Sequence, residues 1–255
     1  MCIILSKVNK VSNTKIYVSP DEENARQITI YSNEVATRTK NAMILPVPNP
    51  ESIELLDLSK YPKFFEDCDD CFVRIPTLSL TRSYNLPHMY ATSSILPVVQ
   101  VGSYMASIVP SFDDFVRIDT SVFDIDDTLL SMLAKNYREG FGFIVCLLKE
   151  GSHTYHPFAY THRMKNPNRL FIPTRHYHPG ESNTYADWDH TIYSPITELH
   201  NTKELKFRDS SPIKWNKLPE SYRWASSVPF SRWTMESEWK NIDLEPESFY
   251  RKRVY

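Results

Sequence analysis

The sequence predicts an α+β protein, predominantly antiparallel β-sheet with a few short helices. Short runs rich in branched and aromatic residues recur along the chain, separated by polar stretches. Aromatic residues make up 13% of the chain, with 15 Tyr and 13 Phe, which suits strands and rigid packed surfaces better than long helical bundles. The clearest helix is Asp126 to Tyr137, with Leu129, Leu130, Leu133 and Ala134 on one stripe and Asp126 and Asp127 at the positive end.

Taken in order, the first 50 residues read as a β-meander of CIILS, TKIYVS, QITIYS and AMILPV, closed by Pro46, Pro48 and Pro50. SIELLDLSKYPKFFEDC has helical spacing broken at Pro62, so two short helices are expected there. PVVQVGSYMASIV reads as one or two strands, and Ser111 with Asp114 as the start of a helical turn. Gly140 stands where a left-handed cap would end the Asp126–Tyr137 helix. GFIVCLLK, HPFAYTH, RLFIPTRHYH and WDHTIYS follow as strands. Residues 1–200 are expected to form a β-rich main domain. Residues 201–255, carrying Trp215, Trp224, Trp233 and Trp239, read as an aromatic-rich C-terminal extension packed on it, with a short helix near FSRWTMESEW.

Composition excludes several function classes. There are five glycines where average usage gives about 18. No dinucleotide-binding, P-loop or nucleophile-elbow motif occurs, so phosphate-cradling loops are absent from the expectation. A net charge of −2 gives no global field for nucleic acid or anionic lipid, and RKRVY at the end is too short to count as a basic patch. Four cysteines are too few for a disulfide framework, and the N-terminal apolar stretch is too short for a signal peptide. A soluble cytoplasmic protein, with no membrane or nucleic-acid partner, is the expectation. The tryptophan-rich C-terminal segment is the candidate surface for a protein partner.

Seven of the eight histidines fall between His153 and His200. On a strand, His176 and His178 would share a face with Leu170, Ile172 and Thr174, while Arg175 and Tyr177 point the other way. Gly180 would turn the chain so that Asp189 and His190 fold back toward that pair. His176, His178 and His190 are a workable ligand set for zinc, with Asp189 orienting an imidazole and Arg175 steadying an anion. The same histidines also suit plain packing and hydrogen bonding. Cys2 at the start of a strand is a candidate N-terminal nucleophile after removal of Met1, but Ile3 and Ile4 follow it without the usual glycine, and a buried thiol explains it as well. Cys68 and Cys71 have the C-x-x-C spacing of a metal or redox site without a second pair nearby.

The strand series SNTKIYV, QITIYS and NAMILPVPNP, then FGFIVCLLK, HPFAYTH, RLFIPTRHYHPG and DHTIYS, resembles a family of bacterial and large-DNA-virus proteins with no assigned activity. More distantly it is similar to secreted bacterial domains of unknown function that carry a Cys and a V-P-V-P strand. The resemblance covers most of residues 1–194 and implies recurrence of the H-x-H and D-H elements, here His176, His178, Asp189 and His190. It brings no mechanism. The leading expectation is a non-catalytic binding or structural protein, virus-encoded on the strength of this resemblance. The alternative is a zinc hydrolase using His176, His178 and His190, and the lesser alternative a Cys2 amidohydrolase.

Overall fold

The computed structural model describes residues 3–5, 8, 10–21, 23–39, 41–73, 95–123, 125–148, 150–177, 184–195, 206–226 and 228–246. Its strands are β1 (Ile3–Ile4), β2 (Lys10–Asp21), β3 (Arg26–Thr37), β4 (Asn41–Pro48), β5 (Glu54–Leu56), β6 (Val98–Val101), β7 (Tyr104–Val109), β8 (Phe141–Leu148), β9 (Gly151–Thr154), β10 (Phe158–Arg163), β11 (Tyr185–Ser194), β12 (Lys206–Asp209) and β13 (Pro229–Lys240). Two α-helices, α1 (Phe64–Asp70) and α2 (Asp127–Tyr137), and short 3₁₀ turns complete it. The chain is α+β and mostly β, as its sequence predicts.

The strands form two sheets. The smaller has the order β1-β4-β8-β7-β6 and is antiparallel throughout. The larger runs β12-β13-β11-β2-β3-β10-β5, with β9 pairing part of β3. Among the described residues its one parallel contact joins β11 to β2. The N-terminal strands are therefore not one meander: β2 and β3 make a hairpin in the larger sheet, while β1 and β4 pair in the smaller. Local patterning finds each strand, but partner choice is settled by distant residues such as Phe141–Leu148, which pair with β4.

Alternation along the strands sorts side chains into layers. In β4, Met43, Leu45 and Val47 enter the core between the sheets, and Ala42 and Ile44 enter the core under α2. Both faces are covered, which is why AMILPV reads as an unbroken apolar run. The inter-sheet core also takes Ile16, Val18, Tyr31, Ile144, Phe158, Tyr160, Trp188 and Ile192. Leu129, Leu133 and Tyr137 of α2 cover the smaller sheet, and Asp126 caps that helix by accepting the Leu129 N–H at 2.7 Å. Gly140, at φ +72°, turns the chain into β8. On the outer face of the larger sheet, Phe64, Phe65, Trp215, Leu218 and Tyr222 pack over Tyr17, Ile28, Ile30, Tyr193 and Phe230.

Three local expectations are corrected. SIELLDLSKYPKFFEDC gives strand β5 and the single helix α1, because Glu54–Leu56 pairs with Thr161–Ala159 of β10. FSRWTMESEW is not helical. It forms most of β13, whose Trp233 and Met235 face inward while Arg232 and Thr234 pair beside Tyr193 and Thr191. RLFIPTRHY, residues 169–177, is not a sheet strand but an extended segment crossing between the sheets, joined by the isolated bridges Ile172 to Leu244 and Tyr177 to Ile3. Among the described residues no helix is long and apolar enough to cross a membrane.

Candidate functional site

The crossing segment keeps strand-like alternation with both faces buried. Leu170 and Ile172 enter the inter-sheet core, and Phe171 and Tyr177 enter the core under α2. Thr174 and His176 are buried in line with Leu170 and Ile172. The backbone of His176 is held by one side chain: its N–H donates to Asn241 Oδ1 at 2.7 Å, and Asn241 Nδ2 donates back to its carbonyl at 2.9 Å. On β11, alternate residues Trp188 and His190 face inward.

These elements bring His176 and His190 together. Their ring centroids are 5.1 Å apart, and Trp188 completes the group at 5.6 Å from His176, nearly parallel, and 4.9 Å from His190. All three are buried. His178 and Gly180, as well as Cys2, lie outside the described residues. No cluster of three or more His, Cys, Asp or Glu suited to a metal occurs among the described residues. Asp189 follows the strand alternation to the opposite face, where it accepts the Asn13 N–H at 2.6 Å.

Arg175 joins a different network. Its Nε lies 3.7 Å from Asp243 Oδ2, and its guanidinium sits over the Tyr137 ring at 5.9 Å. Asp243 accepts the Tyr137 O–H at 2.5 Å and the N–H groups of Thr174 and Arg175 at 3.1 Å. Burial pushes its carboxyl above the usual range, against the pull of those donors and of Arg175. This network ties α2, the crossing segment and the chain after β13 into one unit.

A second network fastens α1. Asp69 takes Lys15 Nζ and the Tyr193 O–H, at 2.7 and 2.5 Å, with Arg232 at 3.5 Å. Asp67 accepts the Tyr61 O–H at 2.7 Å, with Lys214 Nζ at 3.1 Å. Cys68 of the helix and Cys71 just after it are both buried. Burial pushes the Cys68 thiol well up and the Cys71 thiol up to about 12, so neither is a ready thiolate. Sequence reasoning passed over Asp67, Asp69 and Asp243, because an isolated carboxylate gives no sign of the tyrosines and cations that distant strands bring to it.

No family model matches the chain. Solved structures do. A mutated baculovirus P35 after caspase cleavage aligns with 94% of this chain and 98% of its own, at 12% identity and a TM-score of 0.50. P35 in the crystal structure of the caspase-8/P35 complex aligns with 93% of this chain and 96% of its own, at 12% identity and the same TM-score. The fold resembles that of baculovirus P35. At this identity the P35 likeness concerns architecture and carries nothing about the H-x-H and D-H elements.

Proposed function

We propose that this chain is a non-catalytic, virus-encoded protein that binds and occupies a caspase-type cysteine protease. The observation that carries the reading is the P35-like architecture over nearly the whole of both chains, one of those neighbours being P35 in complex with caspase-8. Burial raises the Cys68 and Cys71 thiols, so the C-x-x-C pair offers no ready thiolate for a redox role. Cys68 and Cys71 form no disulfide, which suits the reducing cytoplasm expected from the sequence. Within the tryptophan-rich C-terminal segment, Trp239 is the exposed ring, packed edge-on against Trp233, and is the contact expected of that segment with a protein partner. Gel filtration of the purified chain mixed with active caspase-8 tests the reading. Co-elution of a stable complex is expected, and separate elution at micromolar concentrations contradicts it.

A second reading has one observation in its favour. His176 and His190, two of the three histidines expected to hold zinc, meet in the interior with ring centroids 5.1 Å apart. In that reading they and His178 bind zinc, which would polarise a carbonyl or activate water. Metal analysis of the purified protein decides it: stoichiometric zinc lost in His176→Ala supports the reading, and metal-free wild-type protein removes it.

A further inference from the structure

Gly102 and Ser103 make the two-residue turn between β6 and β7. This turn is where the smaller sheet meets residues 155–157, which join β9 to β10 of the larger one. Glycine is needed at position 102 for two reasons. It adopts φ +58°, and a Cβ there would stand 2.3 Å from His156 Nε2. The close approach lets the Ser103 N–H donate to His156 Nε2 at 2.9 Å. The other ring nitrogen, Nδ1, lies 2.9 Å from the Pro157 carbonyl oxygen. A carbonyl only accepts and an N–H only donates, so the two contacts together assign the proton to Nδ1 and leave the Nε2 lone pair to Ser103. Tyr104 strengthens the junction, donating its O–H to the His156 carbonyl at 2.9 Å and setting its ring edge-on to the imidazole.

We propose that His156 is an acid-sensitive clasp between the two sheets, holding the β6–β7 turn through Ser103 while neutral and releasing it when protonated. The added proton goes to Nε2, the position Ser103 uses. Both ring nitrogens are then donors, and the Ser103 N–H is left facing another N–H. Histidine is the side chain suited to such a change between pH 8 and 5. Asp57 from the segment after β5 and Tyr104 from β7 face the ring; behind them Lys60 acts on Asp57, and Tyr155 of the connector stacks on Tyr104 and contacts His153 of β9. Asp57 lines the same shallow cleft as His156, with Ser59, Gln100, Gly102 and Ser103. Partial burial raises the Asp57 carboxyl, but the Ser59 hydroxyl and N–H outweigh it and, with His156 and Lys60, hold it below its ordinary range. It therefore stays ionised over this interval and offers the imidazolium a counter-charge in the same cleft.

The test is site-resolved amide exchange by NMR between pH 8 and 5, corrected for the intrinsic pH dependence. The Ser103 amide is expected to lose about tenfold in protection in the wild-type protein as its one hydrogen bond is lost. His156→Gln, whose side-chain oxygen accepts without titrating, is expected to show a flat profile. Imidazole ¹⁵N shifts supply an independent check on the unaltered protein: at pH 8 Nε2 should be bare, and its protonation should track the loss of Ser103 protection. Ser103 protection that ignores pH, a proton on Nε2 at pH 8, or an unchanged pH response in His156→Gln would each overturn the proposal. These outcomes involve no protease, so they stand or fall apart from the binding role.

Discussion

The two outer layers of the sandwich are fastened in different ways. On one side, α2 has 11 residues, its own N-cap in Asp126 and an apolar stripe of Leu129, Leu133 and Tyr137. Its one deep polar tie is the Tyr137 hydroxyl on buried Asp243. On the other side, α1 has seven residues and no side-chain cap. A helix so short does not sustain itself. It is held by Phe64 and Phe65 in an aromatic cluster and by Asp67 and Asp69, which draw tyrosines and cations from β2, β11, β13 and the 3₁₀ region. The longer helix depends on its own sequence, and the shorter one on the sheet beneath it.

Four measurements can break or sharpen this contrast. The largest effect is expected from Phe64→Ala, which empties the centre of the α1 cluster, where Tyr17, Tyr61 and Phe65 lie within 5.5 Å of the ring. Urea unfolding should show a loss of about 3–5 kcal/mol. A loss below about 1 kcal/mol would mean that α1 is only loosely attached.

Between the layers, burial holds His162 neutral, its pKa lowered from 6.5 to about 4. The unfolded chain binds the extra proton first, so stability is fully present above pH 6.5 and falls as the pH drops toward 4, by on the order of 3 kcal/mol. His162→Leu should remove that part of the acid sensitivity. Equal pH profiles for the variant and the wild type would contradict it.

On the α1 side, Asp69→Ala should cost about 1–2 kcal/mol, since its partners are partly exposed and solvent-screened. It should also reduce the salt dependence of unfolding.

On the α2 side the expected signature is pH. The Asp243 carboxyl is raised in the folded state, so the folded protein holds its proton at a higher pH than the unfolded chain does. Stability from this group therefore falls as pH rises through that interval, and it is least at neutral pH. Relative to Asp243→Asn, which stays uncharged, the wild type should gain stability on mild acidification. The opposite slope would show that the surrounding donors outweigh burial.

Much of this architecture is legible in the sequence where local chemistry decides the outcome. The Asp126 cap, the strand TKIYVS and the left-handed Gly140 follow from residue types and spacing alone. What is not legible depends on distant partners. Whether TMESEW is helix or strand is decided by the ladder with Tyr185–Ser194, because a short mixed run fits either period. The candidate site is legible in part. Leu170 and Ile172 go to one core and Phe171 and Tyr177 to the other, as alternation has it, and Thr174 and His176 are buried, with His190 beside His176. The adjacency of Asp189 and His190 suggests a ligand beside its orienter, yet consecutive strand residues face opposite ways, and Asp189 goes to Asn13. The clasp at His156 has no motif, since it joins residues 53 positions apart through a backbone amide. Gly102 is the trace it leaves in a chain that uses so few glycines.

The role proposed for this P35-like scaffold is engagement of a protease. Its most direct measurement is residual caspase-8 activity at increasing molar ratios of the purified chain. A linear fall that reaches baseline near equivalence is expected, and activity that stays constant through a molar excess would rule the role out.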